Sequence, residues 1–147
     1  MTRHRGPPPS AVTVELEVPF HDVDLLEVVW HGHYPKYLEV ARTALLRSRR
    51  LDAADMRALG YRFYVTESHL RHVFPMRYGE RLRVAAWFRE IENRLDIAYD
   101  LVNATRACRC AQASTVLVTT TSDGTLCLAT PDPILERLRA GGPGQAR

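Results

Sequence analysis

Residues 20–50 read FHDVDLLEVVWHGHYPKYLEVARTALLRSRR, and the fold turns on where this stretch changes its period. From Tyr34 onward, apolar residues recur at helical spacing: Tyr34, Tyr37, Leu38, Ala41 and Leu45, with Ala44 beside them. Lys36, Glu39, Arg42 and Arg47 take the opposite side. That is an amphipathic helix buried along one stripe. Pro35 suits its first turn, where a missing N–H costs nothing, and the pattern predicts an end near Arg50. His21 to His33 has no clear period and is expected to be a loop with a short helical turn. It holds Asp22, Asp24, His21, His31 and His33 among apolar residues. Ionisable groups packed in this way just before a helix start are costly unless a site uses them.

Before this stretch, Val12, Val14, Leu16 and Val18 alternate with Thr13, Glu15 and Glu17, which predicts a half-buried strand. After it, Asp52 to Gly60 reads as a short helix closed by Gly60. Strand patterns then dominate. Tyr61–Val73 is rich in aromatic and β-branched residues. Pro75–Glu80 is a connection, and Arg81–Ile91 alternates strictly. Glu92-Asn93 marks a tight turn before Leu95–Leu101, and Cys108–Thr121 is another long strand. Ser122-Asp123-Gly124 is a hairpin signal with Leu126–Ala129 expected as the return strand, and Asp132 is expected to cap a last helix, Pro133–Arg139. The order of strand, long helix, then antiparallel strands makes an α+β domain. One helix cannot cover both faces of such a sheet, so the sheet should curl round it and leave a face or an edge for a second copy.

The 147 residues suit one domain, expected over residues 11–140, with a flexible lead at 1–10 and a flexible tail at 141–147. MTRHRGPPPS is basic but has no apolar run after it, so no secretory signal is expected. No stretch approaches a membrane span. The net charge of +3 comes from scattered arginines, and Lys36 is the sole lysine. Without a recognition motif this does not point to nucleic acid. Arg47, Arg49 and Arg50 fall in the predicted last helical turn and should complement its dipole. Cys108, Cys110 and Cys127 lack zinc spacing and are expected to be reduced thiols in a cytoplasmic protein.

Phe20-His21-Asp22-Val23-Asp24, Val28-Val29-Trp30-His31-Gly32-His33-Tyr34, Glu39-Val40-Ala41-Arg42 and Pro75-Met76-Arg77-Tyr78-Gly79-Glu80 together resemble the hotdog-fold acyl-CoA thioesterases. The likeness is to their 4-hydroxybenzoyl-CoA thioesterase-like branch. It implies one long central helix wrapped by a curled antiparallel sheet, in a homodimer or homotetramer. The wording is most similar to thioesterases of aryl-polyene-type pigment assembly, which implies an acyl group on a carrier protein as an alternative to acyl-CoA. The chain departs from the family in one loop: Leu25-Leu26-Glu27 stands where the family usually has a glycine.

The second aspartate of the motif is the family's catalytic residue and maps to Asp24. It could attack the thioester carbonyl or deprotonate water. His31 is the second catalytic candidate, able to orient Asp24, to hydrogen-bond the thioester or to protonate the leaving thiolate. Trp30, Gly32, His33 and Tyr34 are the candidate substrate-binding residues, with Trp30 and Tyr34 also suited to packing. The helix start near Tyr34 offers free amides that would polarise a carbonyl oxygen. No cofactor or metal is required, and His31-x-His33 alone is a weak metal signal. Asp22 reads as a turn or capping residue. Glu39 reads as an exposed charge near Arg42, and Glu67 and His69 as solvent-facing strand positions. A hotdog dehydratase or hydratase acting on acyl-carrier thioesters is the alternative enzyme, although the Asp-x-Asp loop argues against it. A non-catalytic acyl-binding subunit is the third reading, to which Glu27 gives some room.

Overall fold

A computed structural model describes residues 6–141. Half of the expected lead, residues 1–5, and all but one residue of the expected tail lie outside the described residues. Strand β1 (Val12–Glu17) is followed by two short 3-10 turns, Phe20–Asp22 and His31–His33. Then come helix α1 (Tyr34–Ser48), helix α2 (Ala53–Leu59) and strands β2 (Tyr61–His72), β3 (Arg81–Glu90), β4 (Leu95–Asn103) and β5 (Cys108–Thr121). Helix α3 (Asp132–Arg139) ends the domain. The strands form one antiparallel sheet in the order β1-β3-β4-β5-β2.

The expected stripe of α1 is the buried one: Tyr34, Tyr37, Leu38, Ala41 and Leu45. It packs into one core with Leu82, Val84 and Ala86 of β3, Leu95, Ile97, Tyr99 and Leu101 of β4, and Ala111 and Leu117 of β5. These strand residues alternate, so the sheet presents a single apolar face to the helix. Tyr99 is fully buried, and its hydroxyl is held by Thr115 Oγ1 at 2.7 Å.

Helix α1 stops earlier than its pattern predicts. Arg50 is in the left-handed region at φ 58°, and Leu51 N donates to Leu46 O at 2.9 Å. This is a Schellman-type end with arginine in the usual glycine position. Arg49 and Arg50 therefore lie past the helix and do a different job from the one expected. The Arg49 guanidinium donates to Leu138 O, and Arg137 donates to Arg50 O, at 2.7 and 2.6 Å. These bonds clamp α3 over the open end of the core, where Ile134 and Leu138 are buried. Asp52 closes a capping box with Asp55 at the start of α2, and Gly60 ends it at φ 86°, as the sequence predicts.

Two expectations fail at the C-terminal end. Leu126–Ala129 is no strand: a single bridge joins Thr120 to Leu126. Thr130 N instead donates to Glu92 O at 2.8 Å, drawing the chain off the hairpin to the β3–β4 turn. Asp132 does not cap α3, because Pro131 holds that position; Asp132 is an acid in the first turn, favourable to the helix dipole.

Leu38 is 1% exposed and belongs to the core that α1 shares with the sheet. Leu38→Ala should cost about 3 kcal/mol of unfolding free energy, read as a lower urea midpoint with an unchanged slope. A cost below about 1 kcal/mol would mean that α1 is not the spine of the core.

Candidate active site

The site region is a small hairpin folded against the start of α1. Val23 and Val29 form an isolated antiparallel bridge, Trp30 N donates to Asp22 O (3.0 Å), and Asp24 N donates to Val28 O (2.9 Å). The loop 75–80 docks alongside. Val29 N donates to Met76 O (2.8 Å), while Val18 N donates to Glu80 O and Gly79 N to Val18 O. Met76 is fully buried beneath this junction, and Gly79 at φ 78° turns the chain back.

Asp22 ends the first 3-10 turn, as its sequence context suggests, but it is also a buried anchor. It is 1% exposed and receives the Tyr37 hydroxyl at 2.5 Å and Lys36 Nζ at 2.7 Å. His21 and His33 approach the same oxygen at 3.6 and 3.9 Å. Burial pushes its pKa up, but the bonds from Lys36 and Tyr37 outweigh this and hold the carboxyl below its usual value. The same contact, with burial, raises the Tyr37 phenol. Consecutive residues of the first turn of α1 thus grip the carboxylate that opens the hairpin. Glu80 is a second buried carboxylate, receiving Arg106 Nε at 2.5 Å and Arg77 N at 2.7 Å. It fixes the loop that carries Arg77 and Tyr78.

Asp24, two residues on from Asp22, is half-buried at the hairpin turn. Its Oδ1 accepts from Leu26 N at 2.8 Å, leaving its other oxygen without a protein donor among the described residues. Asp24 lines an open cleft of about 810 Å³ with Phe20, Val23, Leu25, Glu27, Arg77 and Tyr78. Phe20 and Tyr78 meet edge to face at 5.5 Å in its wall. Neither Arg77 nor Tyr78 stands out in the sequence; only the docking of loop 75–80 brings them to Asp24.

The other candidates divide. His31 is exposed and stacks at a tilt on Trp30, with ring centres 5.4 Å apart. His33 is half-buried against the other part of Trp30, at 5.2 Å. No contact joins either imidazole to Asp24. Burial, followed by the nearby charge of His31, lowers the pKa of His72 on β2. Gly32 lies directly under the Trp30 ring: a Cβ there would come within 2.4 Å of it. Trp30 itself is 46% exposed. Tyr34 is a core residue, its hydroxyl 3.7 Å from Cys110 Sγ and its ring edge-on to His72 at 4.6 Å. Burial, then Cys110, raises its phenol pKa, and burial pushes the Cys110 thiol up to about 11. The amides of His31 and Gly32, just ahead of α1, have no backbone acceptor among the described residues.

Glu39 is exposed and 3.9 Å from Arg42, as expected, and Glu67 and His69 are exposed. Among the described residues no group of three or more His, Cys, Asp or Glu could hold a metal ion, and no helix is long and apolar enough to cross a membrane.

A curled antiparallel sheet round one long helix, with an Asp-x-Asp hairpin at the helix start, is the hotdog fold. The chain belongs to the thioesterase-like superfamily, whose family model matches residues 18–138. It is 30% identical over 76 residues to YneP of Bacillus subtilis (strain 168), which is provisionally named an acyl-CoA thioesterase; the match covers 52% of this chain and 55% of YneP. The chain thus spans about half the length of the curated relatives it matches. Two solved structures share the fold over nearly their whole length. The DHNA-CoA thioesterase from Staphylococcus aureus has a TM-score of 0.77 and 23% identity, over 88% of this chain and 91% of that one. SAV2348 from the same organism, solved in complex with CoA, has a TM-score of 0.80 and 12% identity, over 97% and 90%.

Asp22→Ala should cost about 2 kcal/mol, since it orphans the buried Tyr37 hydroxyl. Because the folded pKa of Asp22 is depressed, its contribution is complete above the unfolded carboxyl value of about 3.9. It fades as the pH falls through the lower folded value. Unfolding curves of wild type and Asp22→Asn between pH 7 and pH 2 should therefore converge on the acid side. A constant gap across that range would show that the charge of Asp22 adds nothing.

Proposed function

We propose that this chain is an acyl thioesterase that hydrolyses an acyl-CoA or acyl-carrier-protein thioester to the free acid and the thiol. The observation that carries this reading is the position of Asp24: on the wall of a partly apolar cleft, in the hairpin that leads to the start of α1. Membership of the superfamily supports the same chemistry. The free amides of His31 and Gly32 are suited to receive the thioester carbonyl oxygen. The charge that develops there on attack is best stabilised by donors that need not reorganise.

Two routes close the chemistry. In the first, an Asp24 oxygen attacks the carbonyl carbon, the C–S bond breaks, and the thiolate leaves and takes a proton. Water then hydrolyses the resulting anhydride and restores the carboxylate. In the second, Asp24 takes a proton from water as that water attacks, and the proton passes to the departing sulfur. His31, exposed at the helix start, is suited to supply the proton to sulfur in the first route, where Asp24 carries none. In this reading Trp30, Gly32 and His33, at the helix start, contact the pantetheine arm of the substrate. Tyr34 acts from below by packing.

The active assembly in this reading is a homodimer or homotetramer. Strand β2 is an outer strand with Tyr64 and Val65 nearly half exposed, and the hairpin tip leaves Leu25 and Leu26 bare at 101% and 79%. A second copy would cover these groups. The free state of Cys108, Cys110 and Cys127 fits a reducing, cytoplasmic setting.

Thiol release should be measured on a panel of aromatic and aliphatic acyl-CoA and acyl-carrier thioesters. Asp24→Asn should lose at least about 100-fold in kcat/KM. Equal rates for the two proteins would remove Asp24 from the chemistry. Loss of water from a 3-hydroxyacyl member of the panel, in place of thiol release, would identify a dehydratase. Light scattering should give a mass of at least two chains; a monomer that turns over substrate would overturn the shared-assembly reading.

A further inference from the structure

Three described non-glycine residues have positive φ: Glu27 (64°), Arg50 (58°) and Ala107 (55°). Arg50 closes α1 and Ala107 lies in the β4–β5 turn, so both have structural roles. Glu27 is different. Glu27 N donates to Asp24 O at 2.9 Å, and Asp24 N donates to Val28 O at 2.9 Å. This is a three-residue hairpin loop whose last position takes the left-handed conformation, the place where glycine is favoured. An L-residue there is strained because its Cβ crowds the backbone. Glycine would relieve the strain and leave the turn intact. The only feature that the larger residue adds is its side chain, and Glu27 lines the Asp24 cleft.

The cleft has two kinds of wall. Phe20, Val23, Leu25 and Tyr78 are apolar, while Asp24, Glu27 and Arg77 are charged. The two carboxylates outnumber the guanidinium, and neither Glu27 nor Arg77 has an ion-pair partner among the described residues. Asp24 is committed to the reaction. Glu27 thus adds negative charge beside the site of attack, where an entering acyl group would meet it. An apolar, uncharged acyl group can lie on the Phe20–Tyr78 pair without meeting a like charge. An acyl group that carries its own carboxylate meets a like charge at Glu27 in the same cleft as Arg77.

We propose that Glu27 is a specificity-determining residue: strained backbone at the hairpin turn holds a carboxylate in the acyl cleft, where it selects uncharged acyl groups and rejects anionic ones. This rests on the thioesterase reading of the same cleft. The energetic logic is repulsion of the wrong substrate, retained at a cost in backbone strain.

The test separates the two readings by using binding as well as turnover. The non-hydrolysable thioethers S-phenacyl-CoA and S-(4-carboxyphenacyl)-CoA would be titrated calorimetrically into the wild type and into Glu27→Gln, Glu27→Gly and Arg77→Gln. The wild type should prefer the neutral analogue by about ten-fold, a size expected for one like-charge contact at a partly exposed site. Both Glu27 variants should shrink that preference by about five-fold, and Arg77→Gln, of opposite sign, should widen it. Glu27→Gly should also raise the melting temperature, because glycine takes this φ without strain. An anionic-to-neutral ratio equal in wild type and both Glu27 variants would overturn the proposal. A wild type that binds the analogues with the stated preference but turns over no thioester would overturn the thioesterase reading and leave the selectivity standing. Failure to bind either analogue would overturn both.

Discussion

The carboxylate of Asp22 is the constraint on which the site depends. It lies under the first turn of α1 with almost no exposure, and it is held by Tyr37 and by the chain's only lysine. A buried charge is tolerated only with such partners. Because its partners are consecutive helix residues, the bond fixes both the distance and the rotation between hairpin and helix. Tyr37 has a further tie, since its ring packs against Tyr34 in the core. The position of the hairpin is therefore coupled to the packing of the whole domain.

A second buried carboxylate frames the other side. Glu80 joins Arg106 and the Arg77 amide, and it sets the loop whose Met76 carbonyl receives the Val29 amide. The hairpin is thus held from the helix by Asp22 and from the sheet by Glu80, and Asp24 projects between the two supports. This arrangement separates labour between neighbouring aspartates. The first is buried, paired and structural; the second is half-exposed, with one oxygen tied to its own turn and the other open to the cleft. The proposed role of Asp24 calls for such a rigid mount under a partly solvated carboxylate.

Several large apolar groups gather around the hairpin. Phe20, Leu25, Leu26, Trp30 and Tyr78 are all substantially exposed in one chain. Trp30 is nevertheless fixed, with its ring set over Gly32 and flanked by His31 and His33.

Much of the architecture could be read directly from the sequence. The helical stripe from Tyr34 to Leu45 and the alternation through β1, β3 and β4 determined which faces are buried, because side-chain period is fixed by local backbone geometry. Gly60 determined where α2 ends. The motif singled out Asp24 and the departure at Glu27. What only the tertiary structure decided were the events in which distant segments meet. Asp22 became a buried anchor, His31 was left without contact to Asp24, and Arg77 and Tyr78 were brought into the cleft. Arg49 and Arg137 were turned into clamps on α3, and Leu126–Ala129 was withdrawn from the sheet. Each depends on partners dozens of residues away or on a neighbouring turn that competes for the same hydrogen bond. Local periodicity holds no record of such partners, since it reports which side of an element is apolar and not which other element will arrive to cover it.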